Sequence, residues 1–319
     1  MSNLRKYYYD NKSKIWKTIL IIVSIFAVIY GVNYLMKIRS ENYNTLAQNI
    51  PQQNTVVDNT SLTTNESVVG GVTLDENSLQ EDITIIEEFL NYCNNKEFEK
   101  AYELLSTSCK ENVFNSFEQF KTSYCDQIFN TPKTYTTENW SGNIYRVRLV
   151  EDILATGQSS SSGSAIQDWI TVVTEEDQEK LNINNYIGER NFSDTSSTTN
   201  DITIKMISEN IYKDYENLTF EVTNNTENTI YLDDGEDPST LYITDSNRVE
   251  HEASTGEIIY STLTLLPGQT KRFTIKFTNT YISNRTITAL TFSRVILNYD
   301  EYLRNTENYD DTVSITINM

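Results

Sequence analysis

Only one histidine is available for acid–base or nucleophilic chemistry. It is His251, in the run Arg248-Val249-Glu250-His251-Glu252. A Ser–His–Asp triad would have to be built on it. Its two acidic neighbours and polar setting read instead as a surface histidine. One His with three scattered Cys gives no spacing for a zinc centre. The loop Asp233-Asp234-Gly235-Glu236-Asp237 places four carboxylates in five residues. Hard oxygen ligands at a turn suit Ca²⁺, so Asp233, Asp234, Glu236 and Asp237 are the candidate metal ligands. The loop lacks the spacing and terminal Glu of an EF-hand, and acidic turns are also ordinary solvated hairpins. Glu87-Glu88 and Glu175-Glu176-Asp177 are paired acids of the type glycosidases use. Neighbours in sequence do not face each other across a substrate, so both read as solvated faces. No catalytic residue and no cofactor motif emerges, and the expectation is a non-enzyme without a cofactor.

The remaining reactive residues are Cys93, Cys109 and Cys125. Three cannot pair completely, and a disulfide scaffold needs more. One bridge with a free thiol, or three buried thiols, are both open; each Cys sits in a helical pattern. Tyr7-Tyr8-Tyr9 beside Arg5 and Lys6 reads as interfacial aromatics, with a cytoplasmic partner as the alternative. Asn-x-Ser/Thr triplets at Asn139, Asn191, Asn217 and Asn284 arise readily in a chain this rich in Asn and Thr.

These residues are carried by a chain divided in charge. The net charge is −20, yet seven of the 25 Lys/Arg lie in residues 1–39 beside a single acid, Asp10. An acidic remainder repels polyanions, so nucleic acid is not an expected partner. Residues 18–36, TILIIVSIFAVIYGVNYLM, carry no charge. At about 1.5 Å per residue in a helix, they match a hydrocarbon core of about 30 Å. Five basic residues precede the stretch and two follow, which places the N-terminus in the cytoplasm. The rival, a cleaved signal peptide, requires a small-residue cleavage site, whereas this run ends in Tyr34-Leu35-Met36-Lys37. No Cys follows closely, which excludes lipoprotein processing. The expected location is the cell membrane, single-pass, with the C-terminal domains extracellular and the bilayer contacted through 18–36.

The expected division is a basic tail 1–17, a transmembrane helix 18–36, and a disordered stalk 37–77. An α+β domain over 78–190, a linker over 191–200 and an all-β sandwich over 201–319 complete it. The stalk is rich in Asn, Thr, Ser and Gln and cannot bury enough apolar surface to offset its ordering entropy. Ser78-Leu79-Gln80-Glu81 fits a capping box, with Ile83, Ile86, Phe89, Leu90 and Cys93 following at helical spacing. Phe98, Ala101, Tyr102 and Leu105 mark a second helix. Ser116 with Gln119 opens a third, striped by Phe117, Phe120, Tyr124 and Ile128. The period then changes to two: Tyr145, Val147 and Leu149 alternate with arginines, and Trp169–Thr174 is a further strand. Gln158–Ser164 reads as a hairpin tip, and Leu181–Ile187 as a weaker strand.

Beyond 200 only alternation survives. It is carried by Ile202/Ile204/Met206, Leu218/Phe220/Val222, Phe273/Ile275/Phe277 and Val313/Ile315/Ile317. Turn signals at Asn224-Asn225-Thr226, Asp245-Ser246-Asn247 and Pro267-Gly268 separate them, as in a β-sandwich.

The run FLNYCNNKEFEKAYELL, Phe89 to Leu105, resembles the nuclear-transport-factor-two-like superfamily, as found behind membrane anchors in low-GC Gram-positive bacteria. Its carrying element is Glu99-Lys100-Ala101-Tyr102-Glu103-Leu104-Leu105. The resemblance covers about a third of the chain. It implies three helices on a bent antiparallel sheet around a conical pocket, but transfers no catalytic residue, since no His lies in 78–190. The segments Leu218–Thr226, Tyr242–Asn247 and Leu266-Pro267-Gly268-Gln269-Thr270 resemble immunoglobulin-like extracytoplasmic modules of the same bacteria. Those motifs are structural punctuation. Together these features lead to a non-enzymatic, membrane-anchored binding or scaffolding protein of the cell envelope, with an envelope protein, peptide or glycan as partner. The alternative is a bitopic structural subunit of a conjugation or secretion channel.

Overall fold

The computed structural model describes residues 76–152, 165–233, 235 and 240–319, and these belong to one compact unit. The basic tail, the uncharged stretch 18–36, nearly all of the stalk and the tip Gln158–Ser164 lie outside the described residues.

The chain enters on α1 (Glu76–Asn94), whose Ile83, Ile86, Phe89, Leu90 and Cys93 are buried on one face. α1 begins at Glu76, so Ser78 lies in its first turn rather than at its cap. α2 (Phe98–Glu103) and α3 (Thr107–Asn112) follow, then α4 (Phe117–Phe120), a π turn (Lys121–Cys125) and α5 (Asp126–Ile128). Ser116 caps α4, accepting from Gln119 N at 3.2 Å, while the Gln119 side chain accepts from Asn115 N at 3.0 Å. This satisfies donors that the helix start leaves open.

These short helices cover an antiparallel sheet in the order β1 (Lys133–Ser141), β2 (Ile144–Glu151), β3 (Ile166–Glu175), β4 (Gln178–Asn182). Phe89, Phe114, Phe120, Tyr124 and Phe129 fill the space between. Phe120 stacks on Tyr124 with ring centroids 5.8 Å apart and meets Phe114 edge-on at 5.3 Å.

β5 (Tyr186–Asn191) leaves this sheet for a second one. There it joins β7 (Ile202–Tyr212), β8 (Tyr215–Asn224) and β13 (Thr270–Thr278) in the order β13-β8-β7-β5, and β6 (Ser196–Thr199) pairs with β7. The strands of a third sheet are β9 (Ile230–Tyr231), β10 (Leu241–Asp245), β11 (Glu250–Glu252), β12 (Thr264–Leu265), β14 (Ile287–Ile296) and β15 (Thr312–Asn318). Their order is β11-β10-β14-β9-β12, with β15 on β14. The second and third sheets face each other across one apolar core, in which Phe220 meets Phe292 edge-on at 5.6 Å. The fold is β-rich and sandwich-like.

This arrangement corrects the expected fold class, a transmembrane helix, then an α+β domain of three helices on a bent sheet, then an all-β immunoglobulin-like sandwich. The described chain is instead mostly β-sheet with short helices, and none of those helices is long and apolar enough to cross a membrane. The expected span 18–36 is outside the described residues. Among the described residues three helices become five in the first half, because Ser106 caps an extra turn, α3, by accepting from Cys109 N at 2.9 Å, and the π turn divides the expected third helix into α4 and α5. The polar run 191–200, expected to be a linker, carries β6. The second half also contains a helix, α6 (Tyr299–Tyr302), capped by Asn298.

A bulge interrupts β7 and changes which side chains point inward. Ile202, Ile204 and Met206 face the sandwich core, and the register against β8 then shifts between Met206 and Ser208. One extra residue reverses the alternation. Glu209 thereby faces inward opposite Leu218, while Tyr212 joins the core of the first half.

Candidate functional site

His251 sits on β11, the edge strand of the third sheet. Its Nε2 lies 3.0 Å from Asp245 Oδ2. Asp245 is buried at the end of β10 and also accepts from Asn247 N and Val249 N, each at 2.9 Å. Burial pushes this carboxyl up, but the donors from His251, Val249 and Asn247 outweigh it and hold it below its usual range. Arg285 Nε stands 3.6 Å from the same Oδ2. The nearest serine in sequence, Ser254, turns its hydroxyl to Thr278 at 3.0 Å. His251 is therefore tied to a turn-forming aspartate.

The other expected residues take structural positions. Asp233 is buried, and its Oδ1 accepts from Gly235 N at 3.0 Å and from the Thr240 hydroxyl. Asp234, Glu236 and Asp237 lie outside the described residues. Among the described residues no group of three or more His, Cys, Asp or Glu converges as a metal centre. Glu175 accepts from Thr107 N and Oγ1 at 3.0 Å, capping α3. Glu176 and Asp177 form the β3–β4 turn with φ of 50° and 63°. Glu88 accepts from Tyr92 Oη at 2.7 Å. The three cysteines are buried and free. Burial pushes the Cys109 thiol up to about 12, and Cys93, also raised by burial, is hydrogen-bonded to Cys125.

Two features were not anticipated. The first is a pair of adjoining concavities beside β11. One, of about 580 Å³, is lined by Glu250, His251, Glu252, Ser254, Glu257 and Thr278. The other, of about 370 Å³, is lined by Ile258, Ile259, Leu263, Phe273, Ile275 and Lys276, and Glu257 borders both. They lie where the facing sheets are joined, since Ala253 bridges to Phe277 and Ser254 N donates to Lys276 O at 2.8 Å. The first concavity is acidic. The second sets these apolar side chains beside the polar Asn217, Thr262 and Thr274, and Ile259 at its rim is 68 % exposed. Lys276 Nζ pairs with Glu257 at 2.8 Å. Volumes of a few hundred Å³ with an apolar wall and a few polar groups are the usual dimensions of a binding site.

The second feature is buried inside the same end of the sandwich. Glu209 on β7 and Glu216 on β8 face inward, 2 % and 5 % exposed. Arg190, the cross-strand neighbour of Glu209 on β5, reaches its Oε2 at 2.7 Å and donates to Ile287 O at 3.1 Å. Asn279 Nδ2 donates to Glu216 Oε1 at 2.8 Å. A sequence signal existed for Glu216, which shares the inward parity of Leu218, Phe220 and Val222. The bulge hid Glu209.

Comparison of the chain with protein-family models, with curated proteins and with solved structures finds no match.

Proposed function

We propose that the chain is a non-enzymatic binding or scaffolding protein of the cell envelope, tethered to the membrane through 18–36 and extracytoplasmic beyond it. Its recognition surface is the double groove at β11, and it takes a cationic segment that also carries an aliphatic side chain. One observation supports this reading most: an acidic concavity and one with an aliphatic and aromatic wall of Ile258, Ile259, Phe273 and Ile275 meet at Glu257. A Lys or Arg placed against Glu250 and Glu252 gains from charge complementarity, and a Leu or Ile beside it covers Ile258 and Ile259. Glu257 exchanges Lys276 for the incoming cation.

A fluorescent peptide of alternating Lys and Leu, titrated into residues 59–319 and followed by anisotropy, is expected to bind saturably. Replacing Glu252 and Glu257 together by Lys is expected to weaken it at least ~10-fold, and ~0.5 M salt is expected to act in the same direction. Absence of binding, or binding indifferent to both changes, contradicts the reading.

A further inference from the structure

Glu209 and Glu216 together leave an unsatisfied position. Glu216 Oε2 is buried and has no hydrogen-bond donor, and its carboxyl adjoins that of Glu209, whose Oε2 is held by Arg190 at 2.7 Å. Two ionised carboxylates cannot donate to one another, and burying both side by side in an apolar sandwich is costly. None of the nearby donors reaches Glu216 Oε2, and Arg190 Nε is itself buried without a partner. Asn279 Nδ2 goes to Glu216 Oε1, and Arg190 is shared between Glu209 and Ile287 O. Arg285, the other nearby cation, donates to Thr280 O and stands beside Asp245.

We propose that Glu209 and Glu216 hold a single proton between them, Glu216 donating to Glu209, so that this end of the sandwich is a proton-binding site. One proton on Glu216 Oε2 turns this orphaned oxygen into a donor and makes one carboxyl–carboxylate hydrogen bond to Glu209. The charges around it then balance. Glu209 is carboxylate against Arg190 on β5. Glu216 is neutral beside Asn279. Arg285 is left to Asp245 on β10, which in turn holds His251 on β11. No metal is needed, and Arg190 at 2.7 Å occupies the approach a divalent cation would use.

The pH behaviour agrees in sign. Burial first, and the Glu209 carboxylate second, push Glu216 from 4.5 up to about 8. A carboxyl raised in the folded state contributes stability that is fully present below its unfolded value. That contribution is lost as pH rises through about 8. Loss of the proton leaves two negative charges against Arg190 and Arg285. Arg285 connects this pair to Asp245, and Asp245 holds the groove residue His251. The site therefore lies directly behind the acidic concavity.

The test compares the wild-type chain with Glu216→Gln, which keeps the size and a donor but cannot titrate. Urea unfolding is followed between pH 6 and 8. On unfolding, the wild type is expected to lose one more proton per chain than the variant, which is about tenfold in the unfolding constant per pH unit. Equal pH slopes overturn the proposal. Carbon-13 carboxyl resonances of glutamate-labelled wild-type protein decide independently, should the variant fail to fold. One is expected to titrate well above the rest, and titration of all of them in the ordinary acid range overturns the proposal. A rise in the wild-type unfolding midpoint on adding millimolar Ca²⁺ or Mg²⁺, absent in Glu216→Gln, also overturns it, in favour of a cation site.

Discussion

Replacing Asp168 by Ala is expected to destabilise the first half of the molecule by about 3 kcal/mol or more. The side chain sits on β3, 3 % exposed, and gathers three elements. Its oxygens accept from Tyr124 Oη at 2.7 Å, from Asn185 N at 2.8 Å and from Asn184 N at 3.1 Å. Tyr124 brings in the π turn, and Asn184-Asn185 is the turn between β4 and β5, with φ of 60° and 62°. Burial pushes the carboxyl above its ordinary range, and the donors from Tyr124, Asn185 and Asn184 pull it back. Truncation orphans all three donors in a dry site, each costing about 1–3 kcal/mol if left unpaired. A domain stable by about 5–15 kcal/mol then loses much of its margin. Urea unfolding monitored by near-ultraviolet circular dichroism reads the effect. A loss below about 1 kcal/mol would show that water replaces the carboxylate and that Asp168 does not organise the turn.

The second large effect is expected at Phe120. Its ring is fully buried and touches four others. The centroid distances are 6.4 Å to Phe89, 5.5 Å to Tyr102, 5.3 Å to Phe114 and 5.8 Å to Tyr124. α4 is a single turn and cannot persist without tertiary packing. Phe120→Ala removes the ring and leaves a cavity walled by rings from α1, α2 and the π turn, for a cost of about 3–5 kcal/mol. Phe120→Leu retains most of the volume and is expected to cost less than half as much. Equal costs for Ala and Leu would indicate that the aromatic contacts, rather than the filled volume, hold the turn in place.

The legible parts of the fold are those in which an apolar period coincides with burial. Ile202, Ile204 and Met206 on β7 and Leu218, Phe220 and Val222 on β8 are inward faces, as is Phe273, Ile275 and Phe277 on β13. Their alternation depends only on the two-residue repeat of a strand. The parts that are not legible lack such a period. β1 turns Lys133, Thr137, Asn139 and Ser141 inward alongside Tyr135, so its buried face is mostly polar. β6 is Ser-Ser-Thr-Thr and buries nothing. α3 carries one buried residue, Cys109, and its start is marked only by the hydroxyl of Ser106.

The turns divide in the same way. Pro267-Gly268 announces itself, and Gly268 has φ of 72°. Glu176-Asp177 and Asn200-Asp201 adopt positive φ at both positions without a glycine, and tight hairpins impose that geometry whichever residues are present.

The candidate site is hidden from the sequence for two physical reasons. The groove is made by the chain between β11 and β12 folding over β13, a contact between segments distant in sequence. The carboxyl pair depends on the extra residue in β7, which a period-two reading places on the wrong face. Glu216 is the readable half, an acid on an otherwise apolar inward row. His251 stands out in the sequence as the sole imidazole, but its partner Asp245 shows there only as a turn residue.

The proposed tethered receptor requires that the β-rich unit be displayed outside the cell. Protease treatment of intact cells carrying the chain with a tag at each end tests this most directly. The account predicts that the C-terminal tag is lost while a short N-terminal fragment stays protected until the membrane is opened. Survival of the full chain until lysis would contradict it, as would release of a free polypeptide into the medium with a new N-terminus near residue 40.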